Sequence, residues 1–356
     1  MRIVIKNGTI ISANRLLKNS TVVINGPKII SVGKTAPHKK ASVVIDARGA
    51  FISPGFIDTH IHGSPGDITA NETKYGTTSF MIAVSCGRQV PDICGHHNVL
   101  GIRLEGPYIN PMMAGAQDKR FIKAPSVTGL EKTIKMGAGT IKMITLAPEL
   151  KGATTLIRIC LKHNIIPSIG HSDATYAEAQ GAFSAGIRHV THIFNAISGP
   201  RHGTAGASTA AIFDGRVMVE VIADLKHVKA SLLKTLFALK DKNSVILITD
   251  SVRAEGSSYP QRRAPLRVPY GYLHIYGYSH IIDCVRNVVK HCGVSLVDAV
   301  RMASLNPALA FGVARNKGTI AAGKDADIVI FDKNFDVKMT MIRGRIAFVK
   351  GKICAG

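Results

Sequence analysis

The feature that most constrains this fold is a repeated alternation in the middle of the chain. Short apolar runs rich in β-branched residues recur there, and helical patterns separate several of them. Strands that are buried on both faces and alternate with helices indicate a parallel sheet. Eight such strands in one domain predict a (β/α)8 TIM-like barrel. The eight runs are residues 55–62, 77–85, 100–106, 141–148, 165–172, 188–196, 217–224 and 244–251.

Two connections in this pattern are too short for a normal crossover: the brief "GSPGDITANETKYG" after the first run, and the one after the second run. Residues 86–99 lie between the second and third runs, and Gly87, Pro91 and Gly95 interrupt them. A crossover between parallel strands normally takes a dozen or more residues, usually as a helix. The sequence therefore predicts a shortened second crossover whose helix is missing or vestigial, and an uncovered flank where a partner subunit could dock.

Both ends of the chain have a different character from the middle. Residues 1–53 and 318–356 read as short strands and turns without a helical period, and Asn-Gly pairs at 7–8 and 25–26 are hairpin signals. We expect these ends to pair into a small β-sandwich domain, with residues 54–317 forming the barrel. Within the barrel, Asp173 is the expected N-cap of the helix that follows the fifth strand, and Ser295 with Asp298 resembles a capping box.

Composition narrows the class of protein. The 356 residues are 46% hydrophobic, as in ordinary globular proteins, and no run approaches the roughly 20 apolar residues of a membrane helix. The start, "MRIVIKNGTIIS", does not read as a signal peptide because Lys6 and Asn7 break its apolar stretch. The six cysteines are scattered without a CxxC spacing. These features predict a cytoplasmic protein without disulfides or membrane contact.

The net charge of +22 is the unusual bulk property. It is compatible with a nucleic-acid or membrane-surface partner, with steering of an anionic substrate, or with a basic solvated surface. The basic residues are spread along the chain, so we expect no specific nucleic-acid partner. Residues 259–278 combine basic side chains with five of the eight tyrosines, which suits either base stacking or a loop.

Polar residues gather at the carboxyl ends of the predicted strands, where barrel active sites lie. His60 and His62 are spaced to share one face of a strand, and that pair by itself is a weak signal. Together with the other strand ends, however, the residue types match a metal centre built from imidazole and carboxylate ligands. The residues at these ends are His60, His62, Glu105, His171, His192, Asp224, His227 and Asp250.

These motifs resemble those of the amidohydrolase superfamily, and within it the branch that deacetylates N-acetylglucosamine 6-phosphate. The superfamily marks are "PGFIDTHIHG" and "GTIAAGKDADIVIFD"; the block from "LEGP" to "THIFNA" is specific to the branch. The resemblance covers nearly the whole chain. It implies metal-dependent hydrolysis of an acetamide, releasing acetate and glucosamine 6-phosphate. It also implies one or two divalent ions per subunit, with zinc favoured over iron, manganese or cobalt.

The resemblance also implies a role for each matching residue. Glu105, His171 and His192 match the primary metal ligands, and His60 and His62 match the second metal position. Asp250 matches the catalytic acid/base, which also contacts the metal, and His227 matches the histidine that contacts substrate and steadies the scissile carbonyl. The substrate-binding positions implied in this way are Ala116, Asn195, Ala196, Arg201, His202 and His227.

Two loops depart from the family pattern. The family usually has His-Arg-Glu-Pro-Gly or a close variant after "THxFNA", whereas this chain has "ISGPRHGTAGAS", in which Arg201 is the expected phosphate arginine and His202 a helper. The loop after Asp250 keeps Gly271, Leu273 and Gly277 and lacks the family's serine. These departures leave other readings open: a dihydroorotase-like or aminoacylase-like amidohydrolase, or a weakly active or inactive homologue. A homodimer that acts on a small amino-sugar phosphate is the expected assembly.

Overall fold

The computed structural model describes residues 1–34, 41–253, 266–268, 271–273 and 279–351. The chain forms two compact units, each assembled from separate stretches of sequence. The first comprises Met1–Thr59, Gly66–Phe80 and His280–Gly356, and the second comprises His60–Pro65 and Met81–Ser279. The domain limits expected from the sequence, after residues 53 and 317, stay a prediction.

The strands are listed here in chain order. They are β1 (Arg2–Ile11), β2 (Leu16–Asn25), β3 (Lys28–Gly33), β4 (Val43–Asp46), β5 (Phe51–Pro54), β6 (Phe56–Gly63), β7 (Thr77–Ser85), β8 (Val99–Glu105), β9 (Ile141–Leu146), β10 (Ile166–Ile169), β11 (His189–Val190), β12 (Met218–Ile222), β13 (Val245–Ile248), β14 (Ser251–Arg253), β15 (Leu266–Val268), β16 (Gly271–Leu273), β17 (Ile328–Phe331), β18 (Val337–Ile342) and β19 (Arg345–Val349).

The helices complete the description. They are α1 (Pro65–Glu72), α2 (Val127–Met136), α3 (Ala153–Lys162), α4 (Tyr176–Ser184), α5 (Ala207–Phe213), α6 (Ala230–Leu239), α7 (Ile281–Cys292), α8 (Leu296–Met302) and α9 (Leu305–Ala310).

Both ends of the chain contribute to one sheet, as expected. Its order is β19-β18-β17-β5-β1-β2-β3, with β4 beside β1. The antiparallel pairing of β17 with β5, which sets Ile330 opposite Ile52, joins the two ends. Buried side chains from β1, β2, β3, β4, β5, β17 and β18 form a single core, so the sheet must curl around it. The ends therefore build a small β-sandwich.

The two Asn-Gly signals have different outcomes. Asn25 ends β2 and pairs with Lys28 at the start of β3, so a hairpin turn follows Asn25 as predicted. The hairpin predicted at Asn7 and Gly8 is wrong, because both residues lie inside β1. There the pairing register with β2 shifts between Ile5 and Gly8. Asn7 adopts a positive φ of 58°, which Asn tolerates, so the pair forms an irregularity within a strand and not a turn.

The middle of the chain forms the expected parallel barrel. The sheet order is β13-β12-β11-β10-β9-β8-β7-β6-β14, so the eight predicted strands appear in sequence order. β14 continues from β13 after two residues and pairs in parallel with β6. A hydrogen bond from the amide of Asp250 to the carbonyl of His60, 2.9 Å long, lies beside this pairing. The last strand thus closes the sheet onto the first.

The connections of the barrel bear out the predicted crossover. Residues 86–98 contain no helix, whereas α1 follows β6. The predicted N-cap at Asp173 is wrong. Thr175 caps α4 in a capping box with Glu178, while Asp173 pairs with Arg201 at 3.1 Å. Ser295 caps α8 and accepts a hydrogen bond from the amide of Asp298, as expected.

Most of the aromatic and basic stretch at 259–278 lies outside the described residues, and Gly277 is among those. Its described part is the antiparallel pair β15 and β16, with Leu266 opposite Leu273. None of the helices in the described ranges combines the length and apolar character that a membrane crossing requires.

Candidate metal centre and active site

The site is built from residues at the carboxyl ends of the barrel strands, and all of them belong to the second unit. His60 and His62 lie near the end of β6, and Glu105 is the final residue of β8. His171 and His192 follow β10 and β11 within two residues, and Asp250 follows β13. Because parallel strands end at one rim of a barrel, these side chains converge although up to 190 residues separate them.

Three of these residues form a tight group. Oε1 of Glu105 lies 3.0 Å from Nε2 of His171 and 3.0 Å from Nε2 of His192. The two Nε2 atoms are 3.2 Å apart. All three side chains are buried. Such a convergence of imidazole and carboxylate atoms is a donor set for a divalent ion.

A second group shares Glu105 with the first. Nε2 of His60 lies 3.4 Å from Oε1 of Glu105, and Nε2 of His62 lies 3.6 Å from Oε2. Oδ1 of Asp250 is 3.2 Å from both of these Nε2 atoms. Two groups of three ligand atoms, joined by one carboxylate, could hold one or two ions.

The hydrogen bonds around the first group fit a cation. Nδ1 of His171 lies 2.9 Å from the carbonyl of Met113, and Nδ1 of His192 lies 3.0 Å from the carbonyl of Asn195. A carbonyl only accepts, so each Nδ1 carries the hydrogen and each Nε2 keeps its lone pair. Two lone pairs and a carboxylate oxygen then face one another, an arrangement that a positive ion between them stabilises.

The pKa shifts of the site residues also favour a cation at this position. Burial opposes ionisation of Glu105, but the charge of His60 and the close contacts with His171 and His192 outweigh it and hold the Glu105 pKa well below its usual range. Burial likewise opposes ionisation of Asp250, yet His60 and His62 lower its pKa to about 2. The two carboxylates raise the pKa of His60 to about 10 against its burial and the charge of Arg103. The carboxylate field therefore favours positive charge here.

The backbone at the site is held in an uncommon conformation. His171, His192, Ala196 and Asp250 all have a positive φ, between 29° and 50°. This left-handed region costs a residue with a side chain roughly 1 kcal/mol or more, and such residues cluster at functional sites. His171, His192 and Asp250 each lie two residues beyond the end of a strand, so these strained positions coincide with the residues that form the site.

The expected substrate-binding residues differ in burial and in hydrogen bonding. Asn195 is buried, and among the described residues no acceptor lies within hydrogen-bond distance of its Nδ2. Arg201 pairs with Asp173 and leaves 28% of its side chain exposed. Ala116 and His202 are exposed, and His202 lies in a turn that Arg201 and Thr204 close by exchanging backbone hydrogen bonds.

The fourth strand end, "TLAPE", contributes a structural carboxylate. Oε1 of Glu149 accepts hydrogen bonds from the side chain of Asn110 and the amide of Asp173, and Oε2 accepts one from Ser172. The amide of Asn110 in turn donates to the carbonyl of His171. Glu149 thus fixes the loop that carries His171.

Several residues that support the site were not predicted. Gln117 donates to Oε2 of Glu105 at 2.5 Å. Arg103 and Glu220 form a fully buried pair, with 2.6 Å between Nη1 and Oε1, and Oε2 of Glu220 lies 3.8 Å from Nδ1 of His60. A signal for this pair exists, since a charge inside the apolar runs "GIRLEG" and "VMVEVIA" requires a buried partner. No comparable signal marks Gln117.

The fold and the donor set define a class of protein, and comparison with known families agrees. The family model described as Amidohydrolase family matches residues 51–347, and the chain belongs to this family. It is similar to the N-acetylglucosamine-6-phosphate deacetylase of Bacillus subtilis, with 32% identity covering 98% of this chain and 97% of that protein. An N-acetylgalactosamine-6-phosphate deacetylase of Escherichia coli O157:H7 is 29% identical, covering 95% and 99%.

The chain is also similar to a solved structure. A mutant N-acetyl-D-glucosamine-6-phosphate deacetylase from Mycobacterium smegmatis, in complex with N-acetyl-D-glucosamine-6-phosphate, superposes with a TM-score of 0.86. It is 27% identical, and the match covers 98% of this chain and 99% of that one.

Proposed function

We propose that this chain hydrolyses the acetamide of N-acetylglucosamine 6-phosphate to acetate and glucosamine 6-phosphate. The observation that carries the proposal is the convergence of Glu105, His171 and His192 beside Asp250. It occurs in a chain whose relatives of nearly equal length bear the name of that activity. Fold alone does not fix a reaction, so the site residues carry the argument.

In this proposal Glu105, His171 and His192 hold the primary ion, and His60 and His62, with Asp250 beside them, form a second position. Zinc suits these nitrogen and carboxylate ligands, and iron, manganese and cobalt are the alternatives. When bound, such an ion lowers the pKa of water from about 15.7 to about 7 and polarises a carbonyl oxygen.

Asp250 is the proposed acid and base. Its pKa of about 2 keeps the carboxylate ionised at neutral pH, so it can accept a proton from the attacking water. As the carbon–nitrogen bond breaks, the same carboxyl returns that proton to the departing nitrogen, which then leaves as a neutral amine. The contacts from His60 and His62 to Oδ1 hold the carboxylate in place for both steps.

The remaining residues bind and orient the substrate. His227 steadies the carbonyl oxygen, where loss of one donor typically costs about 3 kcal/mol of transition-state stabilisation. Nδ2 of Asn195, buried and available, donates to the sugar phosphate, and the backbones of Ala116 and Ala196 contact the acetamide and the sugar. Arg201, helped by His202, binds the phosphate once it exchanges Asp173 for that anion.

Acetate release tests the proposal. Protein loaded with zinc, manganese, iron or cobalt is expected to release acetate from N-acetylglucosamine 6-phosphate and to lose most activity in Asp250→Asn. Asp241→Asn, at an exposed cap elsewhere, is the matched control. Activity should also fall when the 6-phosphate is omitted and in Arg201→Met. No release by metal-loaded protein would contradict the proposal.

N-acetylgalactosamine 6-phosphate is a second candidate substrate, because one relative is a deacetylase named for that sugar. Both sugars share the acetamide and the phosphate, so the two differ only at a hydroxyl. The ratio of kcat/KM for the two substrates decides between them. Hydrolysis of a cyclic amide or an N-acyl amino acid, without acetate release from either sugar phosphate, would favour the dihydroorotase-like or aminoacylase-like alternatives.

The assembly and location are part of the same proposal. The five cysteines in the described residues are free thiols, which suits a cytoplasmic enzyme. The flank at residues 86–98, which contains no helix, is the surface where we expect a homodimer to form. Light scattering after size exclusion measures the dimer, and a monomer at micromolar concentration would contradict it.

A further inference from the structure

Gln117 is a buried amide whose two ends are both engaged at the metal centre. It lies in the loop after β8, and 8% of its surface is exposed. Its Oε1 accepts a hydrogen bond from the amide of Cys86, 2.9 Å long, and its Nε2 donates to Oε2 of Glu105 at 2.5 Å. Gln117 therefore links the end of β7 to the carboxylate that ends β8.

The orientation of this amide is fixed by its partners. A backbone amide can only donate, so the oxygen of Gln117 must face Cys86. Its nitrogen must then face Glu105, and a carboxylate accepts that hydrogen. The backbone amide of Cys86 therefore ensures that Gln117 presents its NH2 group, and not its oxygen, to Glu105. The thiol of Cys86 donates to the carbonyl of Glu105 at 3.3 Å, which adds a second link between the same strands.

The two oxygens of Glu105 consequently have different surroundings. Oε1 lies 3.0 Å from Nε2 of both His171 and His192 and 3.4 Å from Nε2 of His60, whereas Oε2 is occupied by Gln117 and lies 3.6 Å from Nε2 of His62. A carboxylate free to rotate would offer either oxygen to either group of histidines. One amide hydrogen bond to Oε2 removes that freedom.

We propose that Gln117 is a positioning residue that reserves Oε1 of Glu105 for an ion shared with His171 and His192. By holding Oε2, it also weakens the share of Glu105 in a second ion at His60 and His62. The centre then binds its first ion much more tightly than its second. This inference rests on the metal binding of the proposed function. It adds a residue that makes the affinity of the first metal position higher than that of the second.

Metal affinity measured without substrate tests this inference. Zinc binding is followed by competition with a chromogenic chelator, in wild type and in Gln117→Met, which keeps the length of the side chain and removes both hydrogen bonds. Partners of metal ligands typically contribute about 10- to 100-fold in affinity. We expect the first zinc to bind about 10- to 100-fold more weakly in Gln117→Met, with the ratio between the first and second affinities reduced.

The histidine pair can be removed to isolate the first position. In a His60→Gln, His62→Gln background, Gln117→Met should still weaken zinc binding by the same factor, because the lost contact belongs to Glu105. Gln89→Met, at an exposed glutamine in the neighbouring connection, is the matched control and should leave both affinities unchanged. Circular dichroism establishes that each variant is folded before the titration.

A spectroscopic readout does not depend on the stability of Gln117→Met. Gln117→Glu keeps an oxygen for the amide of Cys86 and nearly the same volume, but an ionised carboxylate cannot donate to Oε2. The visible absorption of cobalt-loaded Gln117→Glu should differ from that of wild type, since Glu105 would reorient. Unchanged zinc affinity and cobalt spectrum in both variants would overturn this inference alone. A wild-type protein that binds no zinc would overturn it together with the proposed function.

Discussion

Nδ1 of His227 lies 2.8 Å from Oδ2 of Asp224, and this hydrogen bond fixes the imidazole ring. The other oxygen of Asp224 accepts hydrogen bonds from the backbone amides of Lys226 and His227, so the backbone fixes the orientation of the carboxylate that contacts the ring. Burial opposes its ionisation, but the hydrogen bonds and charge of His227 keep the Asp224 pKa below its usual range. The ring therefore meets an ionised carboxylate through its Nδ1.

Loss of this charge should reduce activity. Asp224→Asn keeps the shape of the side chain and removes the carboxylate, and hydrogen bonds to charged groups contribute about 1.5–3 kcal/mol. We expect kcat/KM for acetate release to fall about 10- to 100-fold, as the orientation of His227 is loosened. Asp241→Asn is the control, and equal kcat/KM in Asp224→Asn and wild type would show that Asp224 does not position His227.

Removal of metal should abolish activity and lower stability. Dialysis against a chelator is expected to stop acetate release, and added zinc should restore it. An ion present at 100 times its dissociation constant adds about 2.7 kcal/mol to the free energy of unfolding, because it binds only the folded state. Denaturant unfolding with and without zinc measures this. The gain should vanish in His171→Ala and persist in His163→Ala, an exposed histidine.

We expect the fold to tolerate the loss of both Arg103 and Glu220 better than the loss of either one alone. Nη1 of Arg103 lies 2.6 and 2.8 Å from the two oxygens of Glu220, and both side chains are fully buried. Removing one partner leaves a buried charge, which typically costs about 3–5 kcal/mol. Arg103→Met should therefore destabilise strongly.

The double variant separates an unpaired charge from a general packing defect. Arg103→Met combined with Glu220→Met removes both charges of the pair and should recover much of the lost free energy of unfolding in urea. Arg120→Met, at an arginine with 82% of its side chain exposed, should change little. A double variant as unstable as the sum of the two single variants would contradict this account.

The pairing of Asp214 with Arg216 predicts a pH dependence of stability. The hydrogen bond from Arg216 is the main cause that lowers the Asp214 pKa to about 2 from a usual 3.8. A carboxyl whose folded pKa is depressed stabilises the fold above about pH 4 and loses that contribution as the pH falls towards 2. Arg216 is 53% exposed, so screening limits the contribution to about 1 kcal/mol at neutral pH.

Unfolding of Arg216→Gln at several pH values measures this contribution. The variant should be less stable than wild type at pH 7, and the difference should shrink between pH 4 and pH 2. Arg120→Gln breaks a pair with Asp118 of the same spacing at an exposed site and is the control. A difference that stays constant down to pH 2 would assign the effect of Arg216 to packing.

Much of the fold was predictable because its signals are local. Eight apolar runs and the helices between them follow from residue patterns, and all eight strands appear in the predicted order. The errors concern places where two local solutions compete. Asp173 and Thr175 can both cap α4, and the choice of Thr175 accompanies the pairing of Asp173 with Arg201. Asn7 and Gly8 suit a hairpin turn as well as they suit the irregularity that they form within β1.

The sequence by itself determined the residue types at the strand ends, and hence a rim of imidazoles and carboxylates in an eight-stranded barrel. Only the tertiary structure decided which atoms meet there: Oε1 of Glu105 between His171 and His192, and Oε2 against Gln117. Strand-end chemistry depends on the pattern along the chain and can be read from it. Contacts of about 3 Å between residues far apart in sequence depend on backbone closure and side-chain rotation, which no local pattern encodes.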